Sequence, residues 1–221
     1  MTPRVLTNRT LARGVAILTG RDPDLAAVVE RFGPPPMWER ETGFHTLVHI
    51  ILEQQVSLAS ARAAYDRVLA IASPLTPHRL LEIDDDKLKI AGFSRQKIAY
   101  SKGLARSVIE GNFNLPKLAE MKDDAARNEM LKIKGVGLWT ANIYLLMALR
   151  RPDVWPTGDL ALAIATQKVK RLKTRPTQEE LSAMSLQWRP WRAVAARVMW
   201  HYYLSELALR RLDKTASKIS S

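Results

Sequence analysis

The chain has no cysteine among its 221 residues. Disulfides, thiolate zinc sites and cysteine-held iron–sulfur clusters are therefore excluded. No apolar run approaches the roughly eighteen residues of a membrane-spanning helix. The opening Met1-Thr2-Pro3-Arg4-Val5-Leu6-Thr7-Asn8-Arg9 also lacks the apolar stretch of a secretory signal. A cytoplasmic protein without membrane association is expected. Strand-like alternation, internal repeats and low-complexity segments are missing too, so the expected fold class is all-α.

What the chain has in excess is positive charge. Lys and Arg number 34 against 22 Asp and Glu, a formal net charge of +12. A surplus of this kind suits a polyanion, because each cation that meets a phosphate releases counterions. The chain is also 47% hydrophobic, enough for a proper core.

The most informative stretch runs from Leu131 to Asp159. A short helix, Asp124 to about Ile133, carries acid in its first turn, where the helix dipole favours it. Gly135-Val136-Gly137 follows, and two glycines one residue apart permit a very tight turn. They also leave backbone N–H groups bare at the start of the next helix, where a phosphate can approach. Leu138 to about Leu149 is apolar nearly all round and reads as one core helix. Pro152 ends it, Pro156 and Gly158 shape a loop, and Asp159 heads a third helix to about Leu172. Together these form a helix-hairpin-helix, a device for gripping nucleic-acid backbone. Taken singly, the glycines also read as turn chemistry and Asp159 as a helix N-cap.

Gly135-Val136-Gly137-Leu138-Trp139-Thr140-Ala141 followed by Gly158-Asp159 resembles the helix-hairpin-helix DNA glycosylases. Trp188-Arg189-Pro190-Trp191-Arg192 is shared with their alkylation-repair branch, the 3-methyladenine DNA glycosylase II type. The resemblance covers about Phe44 to Tyr203. It implies two helical lobes with the active cleft between them: residues 45–150 with the hairpin, and residues 1–44 with 151–221. The additional N-terminal α/β domain of larger members is not expected.

The implied activity is excision of alkylated bases from damaged double-stranded DNA by a monomeric enzyme. The substrates would be 3-methyladenine and other methylpurines, with hypoxanthine a further candidate. Asp159 resembles the family's catalytic aspartate, placed to stabilise the oxocarbenium character of the sugar as the base departs. Bifunctional relatives carry a lysine at the position of Trp139, whose amine attacks the sugar. Tryptophan cannot do this, so hydrolysis to an abasic site, without strand cleavage, is expected.

Trp139, Trp188 and Trp191 are candidates for an electron-rich base pocket, with core packing as the plainer reading. Where some relatives have tyrosines, this chain has Ile143 and Leu160. Gln55, in Gln54-Gln55-Val56-Ser57, matches the residue that fills the gap left by the extruded base. Lys134, Gly135, Val136, Gly137 and Thr140 would meet the DNA backbone at the hairpin. Ser94, Arg95 and Lys97 form a basic corner that the resemblance places on the strand opposite the lesion. No cofactor and no catalytic metal are expected, although hairpin carbonyls near Lys134 and Val136 are candidates for a structural monovalent cation. The alternatives are a glycosylase for deaminated or mismatched bases and a non-catalytic module that only holds DNA.

Other segments carry structural expectations. Glu41, His45, His49 and Glu53 recur every fourth residue and read as a solvated polar stripe rather than a zinc site. Residues 1–8 and Asp213 to Ser221 read as disordered ends.

Overall fold

The computed structural model describes residues 5–219, whose backbone forms helices and turns with no strand among the described residues. In chain order the helices are α1 (Asn8–Thr19), α2 (Pro23–Phe32), α3 (Phe44–Glu53), α4 (Leu58–Ile71), α5 (Pro77–Glu82) and α6 (Asp85–Ile90). Then come α7 (Arg95–Ile109), α8 (Asp123–Leu131), α9 (Leu138–Ile143), α10 (Leu160–Val169), α11 (Gln178–Ser185) and α12 (Arg192–Ile219). The chain divides into two compact units, one of residues 39–150 and one of residues 5–38 with the segment from 151 onward.

The unit of residues 39–150 is built around α3, which packs against α4, α7 and α9. Leu47, Val48, Ile50, Ile51 and Leu52 are buried, so this helix is apolar on almost every side. Its N-cap, Gly43, has φ +140 and no capping side chain, and its N–H donates to the Tyr144 hydroxyl at 3.0 Å. At the other end Glu53 is buried and held by both terminal nitrogens of Arg40, at 3.0 and 2.7 Å. His49 stacks flat on Tyr65 with ring centroids 4.1 Å apart. The expected solvated stripe is therefore corrected: Glu41 faces water, but the His49–Glu53 end is drawn inward by Arg40 and Tyr65.

A second correction concerns the helix after the hairpin. α9 ends at Ile143, and Tyr144–Ala148 continues as a π-helical turn, closed by the Leu149 N–H on the Tyr144 carbonyl at 3.1 Å. Periodicity alone does not distinguish this widened turn from α-helix, because the whole segment is apolar.

In the other unit α12 is the spine, with α1, α2 and α10 against it. Ala193 to Trp200 is buried throughout. Asp22 caps α2 through the N–H groups of Asp24 and Leu25, and Lys170 and the Trp188 indole also donate to it. Burial pushes the Asp22 carboxyl up, and these donors outweigh it, holding it below the ordinary carboxylate value. Both expected disordered ends are revised. Leu6 is buried and Thr7 caps α1 in a reciprocal box with Thr10, while residues 1–4 lie outside the described residues. At the other end α12 continues to Ile219, and residues 220–221 lie outside the described residues.

Candidate functional site

The hairpin divides its two glycines between different tasks. Gly135 has φ +92, and a Cβ there would sit 2.1 Å from Cγ of Tyr100, so the turn packs closely on that side chain. Gly137 has φ −89, caps α9 and faces open space. No side chain caps α9 at Gly137. Lys134 and Gly137 are exposed, Val136 is buried, and Trp139 is half-buried.

Gln54, absent from the sequence-based candidates, holds this turn in place. Its Nε2 donates to the Gly135 carbonyl at 2.9 Å and to the Thr140 hydroxyl at 2.8 Å. Thr140 is 1% exposed, which corrects its expected role. Its side chain serves the fold, not the DNA face. The neighbouring Gln55 is exposed with a left-handed backbone, φ +57, between this anchor and Ser57, the N-cap of α4. Val56 and Leu58 beside it are also exposed, at 46% and 60%.

The basic corner is only partly as expected. Ser94 caps α7 by accepting from the Lys97 N–H, and Arg95 is exposed. The Lys97 ammonium, however, turns inward to the Leu52 carbonyl at 2.6 Å, near the C-terminus of α3. Burial pushes it below the usual lysine value. A cation satisfies the carbonyl end of a helix here, which removes Lys97 from the exposed set.

In the unit containing α10, the Trp155–Asp159 loop is tightened by Thr157 N–H on the Trp155 carbonyl and Asp159 N–H on that of Pro156. Gly158, at φ +90, donates to the Gln178 side chain at 2.6 Å. Asp159 then caps α10. Its Oδ1 accepts from the Leu162 N–H at 2.8 Å and from the Trp200 indole at 3.1 Å. Asp159 is 9% exposed, while Leu160, the next residue, is 59% exposed. A nearly buried acid fixed by two donors, with an apolar side chain open beside it, can stabilise a developing cation without rearranging.

One of the three tryptophan candidates is committed elsewhere. Trp188 is 1% exposed, donates to Asp22 at 2.8 Å and packs on Trp155. This core role corrects its assignment to a base pocket. Trp191 lies over Gly14 of α1, where a Cβ would come within 2.9 Å of its ring. Trp200, the indole that does reach the carboxylate, was missed because in sequence it looks like one more apolar position of α12.

Residues 48–190 match the model of the HhH-GPD superfamily of base excision DNA repair proteins, and the chain belongs to that family. Among individual relatives, it is 27% identical over 198 residues to DNA-3-methyladenine glycosylase 1 of Schizosaccharomyces pombe, covering 86% of this chain and 87% of that one. It is 26% identical to the Bacillus subtilis protein YfjP over 80% of its own length, and spans 64% of YfjP. The structure of the S. pombe 3-methyladenine DNA glycosylase Mag1 with abasic DNA superposes with a TM-score of 0.78 at 26% identity, covering 85% of this chain and 95% of that one. A DNA-3-methyladenine glycosidase from Bacillus halodurans gives 0.71 at 27% identity, over 86% and 88%.

Proposed function

We propose that the chain is a monofunctional DNA glycosylase that flips alkylated bases out of duplex DNA and hydrolyses their N-glycosidic bond. The observation that carries this reading is Asp159, nearly buried at the head of α10 with Leu162 and Trp200 both donating to Oδ1. An N-cap needs only the first of these bonds. The second fixes the carboxylate's orientation, as a preorganised electrostatic group requires.

The base leaves the stack before reaction, since its glycosidic bond is otherwise inaccessible. As that bond breaks, Asp159 stabilises the positive charge on the sugar, and water completes the hydrolysis. The products are a free base and an abasic site. Trp139 offers no amine for a Schiff base, which supports hydrolysis without strand cleavage. The hairpin N–H groups and Lys134 hold the backbone, and Gln55 enters the duplex. The carbonyls of Lys134 and Val136 are hard oxygen donors of the kind that suit a monovalent cation, while that of Gly135 is engaged by Gln54. Such an enzyme would work on the chromosome, in the cytoplasm.

The exposed Leu160 beside Asp159, and the commitment of Trp188 to Asp22, favour a range that includes neutral lesions such as hypoxanthine alongside cationic methylpurines.

Base release from duplexes carrying 3-methyladenine, 7-methylguanine or hypoxanthine tests the reading. Asp159→Asn keeps a good N-cap and should lower release about 10²–10³-fold. Product strands should be alkali-labile yet uncleaved, and borohydride should trap no covalent complex. A trapped complex would overturn the monofunctional reading. Equal DNA binding without base release by either protein would leave a binding module.

A further inference from the structure

A concave site lies at the opposite end of α10 from Asp159, on the α2 and α12 side of the same unit. It is a cavity of about 190 Å³. Its floor is apolar and aromatic, formed by Val28, Phe32, Val169 and Tyr202. Phe32 and Tyr202 meet edge to face with centroids 6.0 Å apart.

The rim is cationic. The Arg31 guanidinium lies 4.6 Å over the Phe32 ring, where Glu206 holds it at 2.8 Å. Asp24, the carboxylate of the wall, pairs with Lys170 at 3.0 Å. Both acids nearby are thus matched by cations. Lys168 and Arg171 are exposed and have no ion-pair partner among the described residues. Arg171 also holds a left-handed backbone, φ +52, just past the end of α10. Glycine is the usual residue there, and an L side chain is strained.

We propose that this cavity docks an acidic peptide segment of a partner protein, with an aromatic side chain of that segment as the anchor. The volume is below the roughly 300–1,000 Å³ of a small-molecule site but suits a single inserted side chain. The ring would enter against Phe32 and Tyr202, while carboxylates of the same segment meet Lys168 and Arg171. Duplex DNA would use the rim and leave the aromatic floor empty, so a peptide answers more of the site.

Fluorescence anisotropy on the full chain tests this with a labelled run of aspartates ending in phenylalanine, and with the same peptide ending in alanine. The phenylalanine peptide should bind at least about tenfold more tightly. Arg171→Glu should weaken it about tenfold. Arg171→Gly should weaken it similarly while keeping or raising the melting temperature, because it relaxes the backbone. Base release from naked duplex should be unchanged in both variants. Absence of binding, or equal binding of the two peptides, would overturn the proposal. So would displacement by undamaged duplex together with an equal loss of DNA affinity in Arg171→Glu, which would assign the rim to phosphate. The peptide-binding and duplex-displacement outcomes do not depend on whether the chain proves to be a glycosylase.

Discussion

The indole N–H of Trp200 and the backbone N–H of Leu162 converge on the same oxygen, Oδ1 of Asp159. One bond belongs to the helix and the other comes from α12. The carboxylate is therefore oriented by tertiary structure, independently of the cap. Trp200→Phe keeps a ring and removes the donor. Losing a hydrogen bond to a charged group corresponds to about 1.5–3 kcal/mol. Single-turnover base release should fall about tenfold to a hundredfold, with duplex affinity unchanged. Wild-type activity in this variant would show that the Trp200 bond is dispensable.

The two hairpin glycines should respond differently to the same substitution. Gly135→Ala places a Cβ into Tyr100 at a positive φ. Overpacking of this kind costs about 1–3 kcal/mol, visible as a lower urea midpoint. Gly137→Ala meets nothing within 4 Å, so it should fold normally. Its predicted defect is weaker duplex binding, since the methyl group stands where a phosphate would approach the N-terminus of α9.

Gln54 is predicted to matter through which atom faces the hairpin. Gln54→Ala removes both donated bonds and should destabilise by about 1–3 kcal/mol. Gln54→Glu should be worse although it is closer in shape, because it sets a carboxylate oxygen against the Gly135 carbonyl. Thermal melts of the three proteins would rank them. A Glu variant as stable as wild type would mean that the donor is dispensable.

His49 gives a pH dependence of defined sign. Burial pushes its imidazole below the ordinary value of 6.5, with Glu53 opposing and Arg40 and Arg62 assisting. The unfolded chain therefore takes up the proton first. The contribution of His49 to stability is present above about pH 6.5 and is lost as pH falls through the lower folded value. His49→Phe, which can keep the stack on Tyr65, should flatten the urea midpoint between about pH 7.5 and pH 5. An unchanged slope would place the proton uptake elsewhere.

Local chemistry was legible in the sequence wherever donor and acceptor lie within one turn. Thr76, Ser94 and Thr177 each stand just before a helix and accept from the N–H three residues on. The hairpin glycines and Asp159 at the head of α10 were legible for the same reason. Long-range partners were not. The Trp188 indole finds Asp22 across 166 positions, and Lys97 finds Leu52 across 45. No spacing rule connects such pairs, so side chains that look available for a ligand can already be committed to the fold. Trp200 was hidden by the converse effect, since an apolar helix stripe does not reveal which ring directs its N–H at an acid.

The π-helical turn at Tyr144–Ala148 acts as a register spacer. The segment around it is tied at both ends: Gly43 donates to the Tyr144 hydroxyl, and the Met147 carbonyl accepts from the Arg40 N–H at 3.1 Å. Arg150 pairs with Glu39 at 3.0 Å just beyond. The i→i+5 closure of Leu149 on Tyr144 holds one residue more than an α-helical turn, so removing one residue between the two ties would convert it to an ordinary i→i+4 closure. Met147 and Arg150 would keep facing residues 39 and 40. A one-residue deletion should thus be absorbed inside this turn, whereas the same deletion in the regular helix α3 would turn every later side chain of that helix by about 100°.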